Sequence, residues 1–255
     1  MRSMIKTIGL TKRFGSIIAV NNVNLAIGEG ELFGFLGPNG AGKTTTIKML
    51  TGLLKPTEGQ VEIGGFDIAK EPLKAKSLFG YVPDQPNVYD KLTAKEFLTF
   101  MADLYRVDGK TRERKLGDLL HLMELEERGD ELIQGYSHGM KQKVAIAGAL
   151  IHDPKVIFLD EPTVGLDPRS ARKIKDILRE LCNRGATIFL STHILEIAEK
   201  MCDRVGIINK GNLVAIGTIE ELRHQARADN SSLEDIFLQI TGGSEYEDVI
   251  GFLER

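Results

Sequence analysis

Apolar and polar positions along the chain change period several times, and each change marks an element. Ile17-Ile18-Ala19-Val20 and Asn22-Val23-Asn24-Leu25-Ala26-Ile27 are apolar or alternating runs of β type. Gly28-Glu29-Gly30 is a turn, and Leu32-Phe33-Gly34-Phe35-Leu36 reads as a strand buried on both faces. After Lys43 the period becomes helical, carried by Ile47, Leu50 and Leu54. Gln60-Val61-Glu62-Ile63 alternates and runs into Gly64-Gly65, a hairpin signal.

From about residue 92 to 150 the pattern is helical. Thr93-Ala94-Lys95-Glu96 forms a capping box, and Phe97, Phe100, Met101, Leu104 and Tyr105 mark one apolar face behind it. A second helix carries Leu116, Leu119, Leu120 and Met123, and a third begins near Ser137 and runs through Val144 to Leu150. Strand and helix then alternate again. Val156–Asp160 is a buried strand, and Asp167-Pro168 opens a helix with Ile174, Ile177, Leu178 and Leu181. Gly185 ends that helix, and Thr187–Leu190 is the next strand. Val205–Ile208 and Leu213–Ile216 flank Asn209-Lys210-Gly211-Asn212 as a hairpin. Ser231-Ser232-Leu233-Glu234 reads as a capping box for a short helix over Ile236, Phe237 and Ile240, with Gly242 past its end. The predicted class is α/β with a largely parallel sheet, an antiparallel β layer and an inserted all-helical subdomain. The core takes residues 1–83 and 151–220, the helical insert 84–150 and a tail 221–255.

Composition narrows the function. The 255 residues, 42% of them apolar, suffice for a sizeable core. A net charge of -3 lends no support to nucleic-acid binding. Cys182 and Cys202 read as small core residues of a reduced, cytosolic protein. Met1–Lys6 has no apolar signal region, and no apolar run approaches the roughly 18 residues a membrane span needs. A membrane role would therefore go through a partner.

The chemistry lies in two places. Gly37-Pro38-Asn39-Gly40-Ala41-Gly42-Lys43-Thr44 fits the phosphate-binding loop pattern and sits between a strand and a helix. Glycines let backbone N–H groups wrap phosphates, the helix points its positive end at them, Lys43 reaches them, and Thr44 offers a hydroxyl to Mg²⁺. Asp160, at the end of a buried strand, suits a Mg²⁺ ligand, and Glu161 can orient or deprotonate a water.

Between these two places stands Tyr136-Ser137-His138-Gly139-Met140-Lys141-Gln142. With it the chain resembles the ATP-binding subunit of an ABC transporter over residues 4–220. The resemblance implies a P-loop NTPase core of RecA-like type. It implies ATP held by residues 37–45, Thr45 included, and adenine stacked on Phe14. Walker B is then Val156–Asp160, the catalytic glutamate Glu161, the D-loop Gly165-Leu166-Asp167 and the switch histidine His193. Lys43 and His193 join Glu161 as catalytic groups. Two spellings depart from the family pattern. The signature, commonly Leu-Ser-Gly-Gly-Gln, keeps Ser137 and Gly139 but has His138 for a glycine. The Q-loop glutamine is replaced after Gly80-Tyr81-Val82-Pro83 by Asp84, with Gln85 next, leaving either residue as the metal or water ligand.

The family analogy further implies a head-to-tail pair of ATPase subunits, with ATP between Walker A of one and Ser137 and Gly139 of the other. Integral membrane permease subunits would dock near the Q-loop and Asn87–Leu92, placing the chain on the cytoplasmic face of the membrane. The wording around Tyr81, Tyr89 and Tyr136 is similar to bacterial two-component exporters of antibiotics, peptides, ions or lipids. Alternatives are a soluble ABC ATPase with a non-transport target and another P-loop enzyme such as a kinase.

Overall fold

A computed structural model describes residues 3–225 and 232–241. The first half runs β1 (Ser3–Phe14), β2 (Ile17–Gly28), β3 (Leu32–Leu36), α1 (Lys43–Leu50), β4 (Glu58–Ile63), β5 (Phe66–Asp67), α2 (Pro72–Lys76) and β6 (Phe79–Val82). Three helices follow: α3 (Ala94–Leu104), α4 (Gly109–Met123) and α5 (His138–Leu150). The chain then continues with β7 (Val156–Asp160), α6 (Pro168–Asn183), β8 (Thr187–Thr192), α7 (Leu195–Met201), β9 (Arg204–Asn209), β10 (Asn212–Gly217), α8 (Ile219–Gln225) and α9 (Leu233–Thr241).

The strands are ordered β5-β4-β1-β2-β10-β9-β3-β8-β7-β6. From β9 to β6 the neighbours are parallel, whereas β1, β2, β4 and β5 pair antiparallel. The two regions meet at one parallel pair, Asn21 with Asn212, where Asn21 Nδ2 donates to Asn212 Oδ1 at 2.9 Å.

Strand alternation sorts the core into two layers. Phe33, Phe35, Phe158 and Phe189 point to the side of α1 and the antiparallel layer, with Phe189 5.3 Å from Phe35 and 5.9 Å from Phe158 between ring centroids. Leu32, Leu36, Ile157, Leu159, Ile188 and Leu190 point to the other side, into a cluster with the helices α3 to α7. A strand covered on both faces reads as a continuous apolar run, which is why β3, β7 and β8 were legible.

Register places the chemistry. Leu36 pairs with Thr192 and Asp160 with Ser191. Three parallel strands therefore end together, and the residues following them, Gly37, Glu161 and His193, emerge at one edge. In open parallel sheets that edge is where ligands bind.

Several expectations are corrected. The two runs before residue 28 are one strand, β2, with Asn22 at φ +49° interrupting the pleat without ending it. The helix after Lys43 stops at Leu50, short of Leu54. The capping box at Thr93 is present, a device worth about 1 kcal/mol, but the apolar face behind it differs. Ala94, Phe97, Leu98 and Ala102 are buried, while Phe100 and Leu104 are exposed. Of Asn87–Leu92, Tyr89 is exposed, whereas Val88 and Leu92 pack against the core. The last helix is capped one residue later than read: Ser232 and Asp235 form the reciprocal pair. Ser231 and Gly242 lie outside the described residues. Both cysteines are buried, and burial pushes the Cys182 thiol up to about 12.

Candidate functional site

The phosphate loop joins β3 to α1. Gly42 caps α1 at φ +113°, and a Cβ there would lie 2.6 Å from the Ala19 carbonyl. Only glycine allows this left-handed, tightly packed entry. The first turn of α1 carries no acidic side chain, so its positive end is not neutralised locally. Ala41 N–H donates to the Pro38 carbonyl at 3.1 Å and the Ala41 carbonyl accepts from Gly211 N–H at 2.9 Å, which braces the loop against the turn between β9 and β10.

A cavity of about 240 Å³ opens on this loop. Asn39, Gly40, Gly42, Lys43, Thr44 and Thr45 line it, together with Asp84 and Glu161. Ala19 also lines it, a residue the sequence reading left in an ordinary strand. The Lys43 ammonium donates to the Gly37 carbonyl at 2.7 Å and to Pro38 at 3.2 Å. It lies 3.8 Å from Glu161 Oε1. Burial lowers the Lys43 pKa, and the nearby Glu161 and Asp160 charges work against that shift.

Glu161 follows β7 at φ +51°, with its N–H held by the Ser191 carbonyl at 3.1 Å. His193 Nδ1 lies 2.9 Å from Glu161 Oε1. One carboxylate thus meets both a lysine and a histidine from different loops.

Asp160 is fully buried. The Ser191 hydroxyl and Thr44 hydrogen-bond it, yet Oδ2 has no partner. Burial raises its pKa, opposed by those two hydrogen bonds and reinforced by Asp84 and Glu161. A partnerless buried carboxylate oxygen beside a threonine hydroxyl fits a hard cation's donor set. Among the described residues no cluster of three His, Cys, Asp or Glu could hold a metal alone. Asp84 faces the cavity and Gln85 does not, although the Gln85 N–H donates to Asp84 Oδ1 at 2.8 Å.

Ser137, His138 and Gly139 line a different pocket of about 400 Å³, with Lys143, Gly165 and Asp167. Ser137 caps α5 by accepting from Met140 N–H, and Asp167 caps α6 by accepting from Ser170 N–H at 3.0 Å. The two pockets share no lining residue. Phe14 lies outside both, 49% exposed, with the Lys12 ammonium 5.2 Å from its ring centroid. Sequence reasoning also missed Ser191, which stands two residues before the histidine it did single out, and Gln142, a buried side chain reaching the Pro162 carbonyl at 3.4 Å.

The family model described as ABC transporter matches residues 20–164, more than half of the chain. The chain belongs to the ABC transporter family. It is 38% identical to the linearmycin resistance ATP-binding protein LnrL of Bacillus subtilis, over 86% of this chain and 70% of that protein. It is 40% identical to the bacitracin transport ATP-binding protein BcrA of Bacillus licheniformis, over 89% of this chain and 74% of that one. A solved ATP-binding subunit of an ABC transporter superposes with a TM-score of 0.90 at 34% identity, covering 94% of this chain and 100% of the other. A dimeric ATP-binding cassette in a post-hydrolysis state, bound to ADP and Pi, gives 0.78 at 32% identity, covering 85% and 99%. This member of the family is accordingly an ATP-binding protein and an ATPase with a P-loop NTPase fold.

The Asp160 geometry makes a prediction. A raised carboxyl pKa means the fold favours the neutral acid. Its contribution is therefore most favourable in acid and is lost as pH rises through the ionisation range. Deprotonating the buried Asp160 is therefore a cost to the fold. Asp160→Asn is expected to raise the unfolding midpoint of the ligand-free protein at pH 7 by about 2–4 °C, the shift that ~1 kcal/mol produces in a chain of this size. The gain should vanish below about pH 4. Scanning calorimetry checks both; a lowered midpoint at pH 7 contradicts the reading.

Proposed function

We propose that the chain is the ATP-hydrolysing subunit of a transporter, most consistent with an exporter, and that two copies close head to tail around ATP. One observation carries this: Glu161, Lys43 and His193 converge at the phosphate-loop cavity, while Ser137 and Gly139 open a second pocket elsewhere.

Each chain contributes half of a site. The loop N–H groups, the α1 N-terminus and Lys43 take the phosphates, which compete with the Gly37 and Pro38 carbonyls for the ammonium. Glu161 accepts a proton from the attacking water as the water oxygen bonds to the γ-phosphorus and the bridging P–O bond breaks, with ADP leaving and inorganic phosphate formed. His193, held by Glu161, is placed to donate to charge developing on the phosphoryl oxygens. Thr44 and Asp160 would hold a bound Mg²⁺, which would neutralise phosphate charge in the transition state. Ser137 and Gly139, at the N-terminus of α5, complete the site of the second copy. Phe14, exposed on β1, offers a ring face for the base.

Export is favoured by relatives whose names refer to linearmycin resistance and bacitracin transport. No helix among the described residues is long and apolar enough to cross a membrane. Permease subunits would supply the span and keep this subunit on the cytoplasmic face. Their docking surface is the exposed apolar stripe of Tyr89 (55%), Phe100 (43%) and Leu104 (63%), next to Asn87 and the loop of Asp84 and Gln85. Tyr89 and Phe100 meet edge to face at 5.6 Å.

Two outcomes test the reading. Glu161→Gln should cut hydrolysis by about 10²–10⁴-fold, the usual worth of a general base, and trap an ATP-bound dimer visible by size-exclusion chromatography. A variant that stays monomeric with saturating ATP, or hydrolyses at the parent rate, contradicts it. Phe100→Asp should keep ATPase activity in the isolated protein but abolish co-sedimentation with native membranes. Undiminished membrane association rejects the docking surface.

A further inference from the structure

The first two turns of α5 touch the loop after β7 at three points. A Cβ placed on Gly165 would lie 2.6 Å from His138 Cδ2 and 3.1 Å from its Nε2, so the imidazole packs directly on Gly165. Gly139 faces Leu166, whose Cδ2 would be 3.3 Å from an added Cβ. Gln142, 1% exposed, donates from Nε2 to the Pro162 carbonyl at 3.4 Å. Gly165 itself is at φ +76°. The touched loop begins at Glu161 and ends at Asp167, so it starts in one pocket and finishes in the other.

We infer that His138 is a positioning residue: its ring clamps the 161–167 loop to α5, so that Ser137 and Gly139 and the base Glu161 are set together. This rests on the two-site reading above. Engagement of Ser137 and Gly139 with one nucleotide would then fix Glu161 over the other, which couples the two hydrolysis events within a dimer. The clamp works by shape. A flat ring fills the space above Gly165, and a glycine at position 138 would leave the loop free to shift. Gln142 anchors the far end of the contact, inside the core, through its Nε2 donation to Pro162. His138 is exposed on its outer side, so substitutions there do not open a core cavity.

The test compares His138→Gly with His138→Phe. His138→Gly should lower kcat about five- to tenfold, change KM less than twofold and bring the Hill coefficient for ATP toward one. His138→Phe should retain at least half of the parent kcat, the parent Hill coefficient and the parent pH profile. Phe performing as poorly as Gly would overturn the proposal in favour of imidazole chemistry, and an unimpaired His138→Gly would overturn it outright. In a Glu161→Gln background, His138→Gly should raise the ATP concentration that half-saturates dimer formation about fivefold. If Glu161→Gln alone forms no dimer, the two-site reading fails; if it does and His138→Gly leaves the half-saturation point unmoved, only the clamp fails.

Discussion

The groups suited to surround a nucleotide's terminal phosphate lie in two pockets that share no residue. Lys43, Thr44 and Glu161 belong to one, Ser137, Gly139 and Asp167 to the other. A helix N-terminus gains little from an anion it cannot reach, because the attraction falls off within about one turn. The α5 terminus therefore needs a phosphate brought by something other than its own loop. In the proposed dimer a second copy of the chain would supply one, and the arrangement would then close as a symmetric pair. Most of what is distinctive here follows from that separation. The segment from α3 to α5 carries Ser137 and Gly139 away from the phosphate-loop pocket, and the 161–167 loop runs from one pocket to the other.

Within the phosphate-loop half, the ion group is poised rather than neutralised. Lys43 is buried against carbonyl oxygens and Glu161, while Asp160 keeps one carboxylate oxygen without any partner. Burial alone would favour removing both charges, lowering the lysine pKa and raising that of the aspartate. Phosphates and a cation would supply the missing partners, so the ligand-free fold stores a cost that nucleotide binding relieves. The register of β3, β7 and β8 makes this possible by ending all three strands at one edge.

Much of this was legible in the sequence where chemistry is local. The glycines, Lys43 and Thr44 sit within one loop, and β3, β7 and β8 announce themselves by unbroken apolar runs. Other features were not. The spacing in α3 marks one apolar face without saying what covers it, because Phe100 and Leu104 have the same spacing whether they face a core or a partner. The box at the last helix satisfies the Ser-x-x-acid pattern in two frames, and the burial of Leu233 and Ile236 selects Ser232. The unusual His138 was visible, but its contact with Gly165 depends on packing between distant segments. Asp84 and Gln85 could not be separated until the fold aimed one of them at the cavity.

Complementation between two inactive variants tests the central claim most directly. Lys43→Ala damages the phosphate-loop half-site, and Ser137→Arg blocks the other. If each ATP is held between two chains, mixing these variants restores one intact site in each mixed dimer. The account predicts that ATPase activity returns on mixing, with about a quarter of the parent level as the ceiling set by random pairing and one intact site per mixed dimer, and a lower value to the extent that the two sites are coupled. A mixture no more active than either variant alone would contradict it.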